Sequence, residues 1–369
     1  MSRIAIIGAG PAGCATALAL AAQSGHEVHL FEAGSHTRAR IGESLAPDAA
    51  PLLQQLGVFE DFLRQGHAPC PGSAAAWQEA ALGHFDYLSC PHGPGWHLDR
   101  TGFERWLALH AVQRGSRLHR QHRLQAAQAA PGGGYRLDFR TPEGERSHHF
   151  DWVVDAAGLA APFATRIGVA RHMFDELICL HVRFESAPAA FPAQSLIEAT
   201  AYGWWYAARL PGDGLILMLA TDLSVMRALR LDQADRWLQA LASTRELGPR
   251  LRSASPNSPM QLSFAATSQL DACTGPGWLA AGDAACSLDP ICARGLHRAL
   301  QQGCQAASAL ADGCSAAALT RYQQQLQREF SLQLGLQRAL YTQQQRWPQS
   351  AFWQRRRALP ALPTTQAAA

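Results

Sequence analysis

The sequence predicts an α/β fold with an antiparallel second layer and C-terminal helices, on three observations. The first is a β-branched run, Ile4 to Ile7, that ends in Gly8-x-Gly10-x-x-Gly13 and passes into an Ala-rich helical stretch. The second is the recurrence, far along the chain, of short apolar runs that end in small residues, at 152–158 and 278–285. The third is a close succession of strand-like runs between residues 177 and 221, which leaves no room for crossover helices.

The glycine turn sits in a strand, turn, helix, strand, acid context, so it reads as a Rossmann-like dinucleotide site. Gly8 permits the tight turn. Gly10 lets backbone N–H groups approach a pyrophosphate, with Pro11 and Ala12 beside it, and Gly13 lets the helix pack on the strand. The helix N-terminus offers orphan N–H groups to phosphate. Glu32 closes the next apolar run, ahead of Ala33, where a carboxylate can accept from ribose hydroxyls.

A basic polar loop, 35–40, leads to Gly42-Glu43-Ser44 and a helix predicted over 48–56 with Gly57 as its stop. Residues 66–96 are rich in Gly, Pro and aromatics without clear periodicity, and read as a long loop acting as a lid or binding segment. A helix follows Asp99-Arg100, then a hairpin turning at Pro142-Glu143-Gly144, then a buried strand ending near Gly158. Strands are predicted at 177–184, 194–201, 203–210 and 214–221, a helix near 232–241, and one strand over 261–269. The chain returns at Gly282-Asp283. A loop then carries Asp289-Pro290 and Gly295, and a helix opens at Leu296. A long helix over about 317–345 precedes a tail, 362–369, expected to be disordered.

Composition excludes several chemistries. The 369 residues carry a net charge of +3, too small to argue for nucleic acid. All 32 basic residues are arginine, so no Schiff base, Walker lysine or lysine-derived chloramine can form. Nine cysteines form no CxxC pair, so no metal site is expected, and a reducing cytoplasm is the expected location. No apolar segment reaches membrane-spanning length.

Together Gly8–Gly13 with Glu32, Gly42-Glu43-Ser44, Leu98-Asp99-Arg100, and Gly282-Asp283 with Asp289-Pro290 resemble the FAD-dependent monooxygenase and flavin-dependent halogenase superfamily. The resemblance implies a Rossmann-like FAD-binding domain of the glutathione-reductase/PHBH type with an antiparallel substrate domain. It places 1–66, 97–170 and 270–315 in the FAD-binding domain, 67–96 and 171–269 in the substrate and lid domain, and 316–361 in a C-terminal helical segment. Arg40, Gly42, Ser44, Arg100, Gly158, Asp283, Pro290, Gly295 and Leu296 then join the glycine turn as cofactor contacts. The loop 289–295 departs from the Asp-Pro-x-Ser-Gly-x-Gly pattern, because Ala293 stands at the middle glycine.

Halogenases carry Trp-x-Trp-x-Ile-Pro and a lysine; here Gly203-Trp204-Trp205-Tyr206 stands in that region and lysine is absent. The chain is more similar to halogenase-like flavoproteins that mature quinone-cofactor enzymes by hydroxylating a tryptophan of a partner. Gly93-Pro-Gly-Trp96-His97, Trp77, Arg346-Trp347 and Phe352-Trp353 carry that similarity. Glu43, His97, Trp204 and Tyr206 are the catalytic candidates.

Alternatives stay open for each. Either Trp205 packs in the core while its neighbours face the cavity, or the reverse. His97 is a base or a structural residue, and Glu43 orients flavin or substrate or caps a helix. Asp289 is a functional acid or a turn former. Arg355 to Arg357 is expected to be a solvated helix end, or else a partner contact. The expected function is hydroxylation of an electron-rich aromatic ring with FAD, NAD(P)H and O₂, the substrate being a protein-bound tryptophan or a small molecule. The competing functions are a geranylgeranyl-reductase-type flavin reductase, a lysine-less halogenase and a non-catalytic escort.

Overall fold

A computed structural model describes residues 2–23, 25–35 and 41–358. The expectations for Arg40 and for the tail 362–369 lie outside the described residues.

The nucleotide layer is a sheet of six strands. Ser2–Ile7 lies between Trp152–Asp155 and His26–Glu32, all parallel, with Arg117–Arg120 outside the latter and Trp278–Ala280 outside the former. Thr274–Gly275 adds an antiparallel edge. Ile4, Ile6, Leu30, Val153, Val154 and Leu279 are fully enclosed, as parallel strands covered on both faces require. Helices Pro11–Ala21 and Gly295–Ala311 pack on each other so tightly that a Cβ at Gly303 would lie 2.5 Å from the Ala12 carbonyl oxygen. The hairpin 135–150 forms a separate three-stranded sheet with Arg123–Ala129.

The second layer is a seven-stranded sheet. Its centre is the predicted meander, Leu177–Phe184, Ser195–Thr200, Gly203–Arg209 and Leu215–Asp222. Two predictions are corrected here. Segment 66–96 is not a loop: Gly72–Ala76 pairs parallel with Ser195–Thr200, and Gly83–Asp86 extends the edge. Ala68–Cys70 and Gly95–His97 form a small sheet with Ser44–Leu45. The run 261–269 is two strands: Gln261–Phe264 joins the large sheet, while Ser268–Leu270 pairs with Arg171–Met173 and Cys286–Ser287. The helix predicted at 48–56 begins as a 3₁₀ turn, Pro47–Ala49, before Ala50–Gln55.

Helix Ala316–Gln343 runs beside both layers, and helix Ala351–Arg357 packs against the large sheet. Arg356 corrects the expectation of a solvated end, while Arg355 stays half exposed. Arg356 is 1% exposed and pairs with Asp175 and Asp222, while Arg355 Nε donates to Asp222 at 2.8 Å. No helix among the described residues is long and apolar enough to cross a membrane.

Candidate flavin site

One end of the site is built from backbone. Gly8 has φ +104°, and a Cβ there would sit 2.5 Å from the Ala156 carbonyl oxygen. A Cβ at Gly13 would lie 2.0 Å from the Gly8 oxygen, so strand, turn and helix meet without side chains. Helix Pro11–Ala21 starts at Gly10 with no side-chain cap and no acid in its first turn. Its N-terminal N–H groups and positive dipole end are left for an anion. Glu32 is buried; its Oε2 accepts from Ala9 N–H at 3.2 Å and its Oε1 from Gly34 N–H at 2.8 Å. Ala33 lies exposed just beyond.

Two further strand ends complete the rim. Gly158 (φ +76°) and Gly295 both face open space where a Cβ would lie. Gly282 (φ +65°) packs against Ala12, and Asp283, half exposed, is held by Arg298. Helix Gly295–Ala311 begins with no side-chain cap and no acid in its first turn, and Leu296 is buried behind it. Before it, Asp289 Oδ1 accepts from Ile291 N–H at 2.9 Å across Pro290. Ala293 stands at the missing glycine with φ +51°, in the left-handed region that a glycine adopts at less cost.

The other end is built from side chains. Arg100, the first residue of a helix that Asp99 caps, donates through Nη1 to the carbonyls of Ile41 at 3.0 Å and Gly42 at 2.8 Å, and Glu104 pairs with it from behind. It thereby fixes an exposed Gly42 with φ +93°. Glu43 points inward. Its Oε1 accepts from Arg183 Nη2 at 2.7 Å and its Oε2 from Gly42 N–H at 2.9 Å, so it does not cap the helix that follows. Burial pushes its carboxyl above the usual range, and Arg183 and Arg100 oppose that push.

Ser44 and His97 are cross-strand neighbours in the small sheet. Each reaches the large sheet: Ser44 Oγ lies 2.6 Å from Tyr206 Oη, and His97 Nε2 lies 2.8 Å from Ser195 Oγ. Two side-chain hydrogen bonds thus tie the small sheet to the large one. Burial lowers His97 to about 4, so its ring is neutral at pH 7, and its Nδ1 is enclosed with no hydrogen-bond partner among the described residues. Burial raises Tyr206 well above the ordinary phenol range, so it stays a hydrogen-bond donor.

Trp205 packs on Trp237, ring centroids 4.9 Å apart, on the far face of the sheet. Trp204 is enclosed rather than open: Trp77, Tyr341 and Trp353 surround it, and its Nε1 donates to Tyr341 Oη at 2.9 Å. Arg183, Ser195, Asp222 and Tyr341 were not singled out from sequence, and Arg356 only within a cluster read as a solvated helix end. Only the aromatic and arginine content of 346–356 signalled that region at all.

The residues present fit a dinucleotide. Two uncapped helix N-termini, a buried acid held by backbone amides and two glycines facing open space line the carboxyl ends of parallel strands, where open α/β sheets bind ligands. Fold and cradle define a dinucleotide-binding flavoprotein. Residues 1–328 match the model of the FAD binding domain family, and the chain belongs to it.

LodB of Marinomonas mediterranea, whose name assigns it provisionally to the FAD-dependent oxidoreductases, is 30% identical over 97% of this chain and 97% of its own. The myxobacterial chondrochloren halogenase CndH shares the fold with a TM-score of 0.88 at 21% identity, over 96% of this chain and 85% of its own. QhpG, a peptidyl tryptophan dihydroxylase essential for tryptophylquinone cofactor biogenesis, does so with a TM-score of 0.73 at 24% identity, over 98% of this chain and 80% of its own. The protein is a flavin-family oxidoreductase by these relationships.

Proposed function

We propose that this protein is an FAD-dependent monooxygenase that hydroxylates an electron-rich aromatic ring, a tryptophan of a partner protein being the favoured substrate and NAD(P)H the transient reductant. The observation that carries the reading is the absence of lysine from a chain that matches LodB end to end. Without lysine, lysine-dependent halogenation through a captured hypohalous acid has no acceptor, which favours direct oxygen transfer. The shared fold with QhpG supports the choice of substrate.

FAD supplies the electron storage and oxygen activation when bound. The chain's residues do the rest. The Pro11–Ala21 N-terminus and Glu32 would hold the adenosine and pyrophosphate end, and Gly282, Asp283 and the Gly295 helix N-terminus would hold the flavin end. Arg100 fixes the Ile41–Gly42 backbone, while Arg183 holds Glu43 against it. His97, neutral at pH 7, holds the Ser195 hydroxyl through Nε2. Tyr206, which stays protonated, shares a hydrogen bond with the Ser44 hydroxyl. The aromatic cluster around Trp204 excludes water from behind the sheet.

Co-expression with a candidate quinoprotein partner, followed by intact-mass measurement, tests the reading. The expected result is a gain of about +16 Da per oxygen on the partner, lost when FAD binding is abolished. An unchanged partner beside an oxygenated or halogenated small aromatic would overturn it.

A further inference from the structure

We infer that the C-terminal helix Ala351–Arg357 sets the geometry of the flavin-side loop 289–295, with Tyr341 and Arg356 as positioning residues. The inference rests on the assignment of that loop to the FAD site. Three carboxylates meet in the interior there: Asp175, Asp222 and Asp289, with Asp222 1% and Asp289 3% exposed. Two of them hold backbone. Asp175 accepts from Leu177 N–H at 2.9 Å and Thr267 N–H at 3.2 Å, and Asp289 accepts from Ile291 N–H at 2.9 Å.

Buried carboxylates at such proximity repel and need a cation among them. Arg356 is that cation. Its Nη1 lies 3.0 Å from Asp175, its Nη2 pairs with Asp222, and its charge acts on Asp289 and Tyr341. Its guanidinium also sits 5.7 Å from the centre of the Tyr341 ring.

Tyr341, near the end of the long helix, is the direct tether. Its hydroxyl donates to Asp289 Oδ2 at 2.6 Å and accepts from Trp204 Nε1 at 2.9 Å. Asp289 is thus held on one oxygen by its own loop and on the other by the C-terminal segment. It is also the residue from which the loop departs through Pro290–Cys292 to Ala293, whose left-handed backbone lacks the glycine that would relax it. A strained turn stays in place only when its surroundings hold it. Here the holder is anchored to the large sheet, since Trp353 Nε1 donates to the Thr200 carbonyl at 2.8 Å and Arg346 Nη2 to the Trp77 carbonyl at 2.7 Å. The helix N-terminus that follows the loop is therefore aimed by residues more than 45 positions downstream.

Flavin-fluorescence titration and redox titration of the full-length chain with FAD test the inference, with thermal unfolding to report which variants fold. Tyr341→Phe, which keeps the ring and removes the hydroxyl, is expected to weaken FAD binding about tenfold. It is also expected to lower the potential of the bound flavin, by about 30 mV for each tenfold lost in preference for the reduced form. Arg356→Lys is expected to recover part of what Arg356→Gln loses. If the Arg356 variants do not fold, Tyr341→Phe decides alone. A Tyr341→Phe protein that binds FAD with an unmoved potential overturns the inference; failure of the unaltered chain to bind FAD overturns the site assignment instead.

Discussion

The two ends of the candidate site are made from different material. At the nucleotide end the walls are backbone: Gly8, Gly13, Gly282 and two bare helix N-termini. At the sheet end they are side chains in pairs drawn from distant segments: Glu43 with Arg183, Ser44 with Tyr206, His97 with Ser195, and Asp222 with Arg356. A backbone wall tolerates one residue type at a fixed spacing, so it fixes what can be held. A side-chain wall can be rebuilt pair by pair, so it is where chemistry and substrate diverge among relatives of one fold.

Substitutions at the two ends should therefore fail differently. The largest loss is expected for Arg356→Met, which removes the buried cation that Asp175 and Asp222 share; denaturant unfolding should show a deficit of about 3–5 kcal/mol. Gly13→Ala comes next. Its new methyl would meet the Gly8 oxygen, and calorimetry should show about 3 kcal/mol lost together with FAD binding. Tyr206→Phe should cost about 1–2 kcal/mol and slow turnover while FAD affinity is kept, because its hydroxyl belongs to the sheet end alone. Loss of FAD affinity in that variant would break the division between the two ends.

Acidity separates them further. Next to the nucleotide end, His29, His119 and His148 stack with Phe31 and Phe139, and burial, with neighbouring positive charge, lowers all three, His119 to about 4. A histidine held below its unfolded value near 6.5 resists protonation in the fold. Its stability contribution is full above that value and is lost as pH falls toward about 4. Asp289 has the opposite sign. Burial raises it to about 6, so its contribution is full below the ordinary carboxylate range and is lost as pH rises through about 6. Thermal unfolding across pH should show His119→Gln flattening the rise in stability between about pH 4 and 6.5, and Asp289→Asn flattening the opposing fall between about pH 4 and 6. The smallest effect is expected for Ala293→Gly, which relieves the left-handed strain at the flavin loop and should raise stability by about 0.5–1 kcal/mol.

The same division decides what was legible in the sequence. The glycine turn, Glu32 and the central strands could be placed within a residue or two, because each imposes a local pattern of spacing or periodicity. Segment 66–96 could not. Its strand Gly72–Ala76 is Gly-Ser-Ala-Ala-Ala, with no β-branched residue, and it exists through pairing with Ser195–Thr200 rather than through propensity. The run 261–269 looked continuous, but Ala265 to Thr267 carries the chain from one sheet to another.

Arg355 to Arg357 looked solvated because three successive charges usually are. The carboxylate that buries Arg356 lies 134 positions away, beyond any local pattern. Trp204 and Tyr206 were rightly separated from Trp205 by alternation. What encloses Trp204 comes from residues 77, 341 and 353, which no spacing rule connects.

Incubation of the reduced, FAD-loaded protein with its aromatic substrate under heavy-isotope dioxygen tests the central claim most directly, with product mass as the readout. The account predicts that one labelled oxygen atom enters the product per turnover and that no product forms when dioxygen is withheld. Turnover that proceeds anaerobically, or a product that takes up halide and no label, would contradict it.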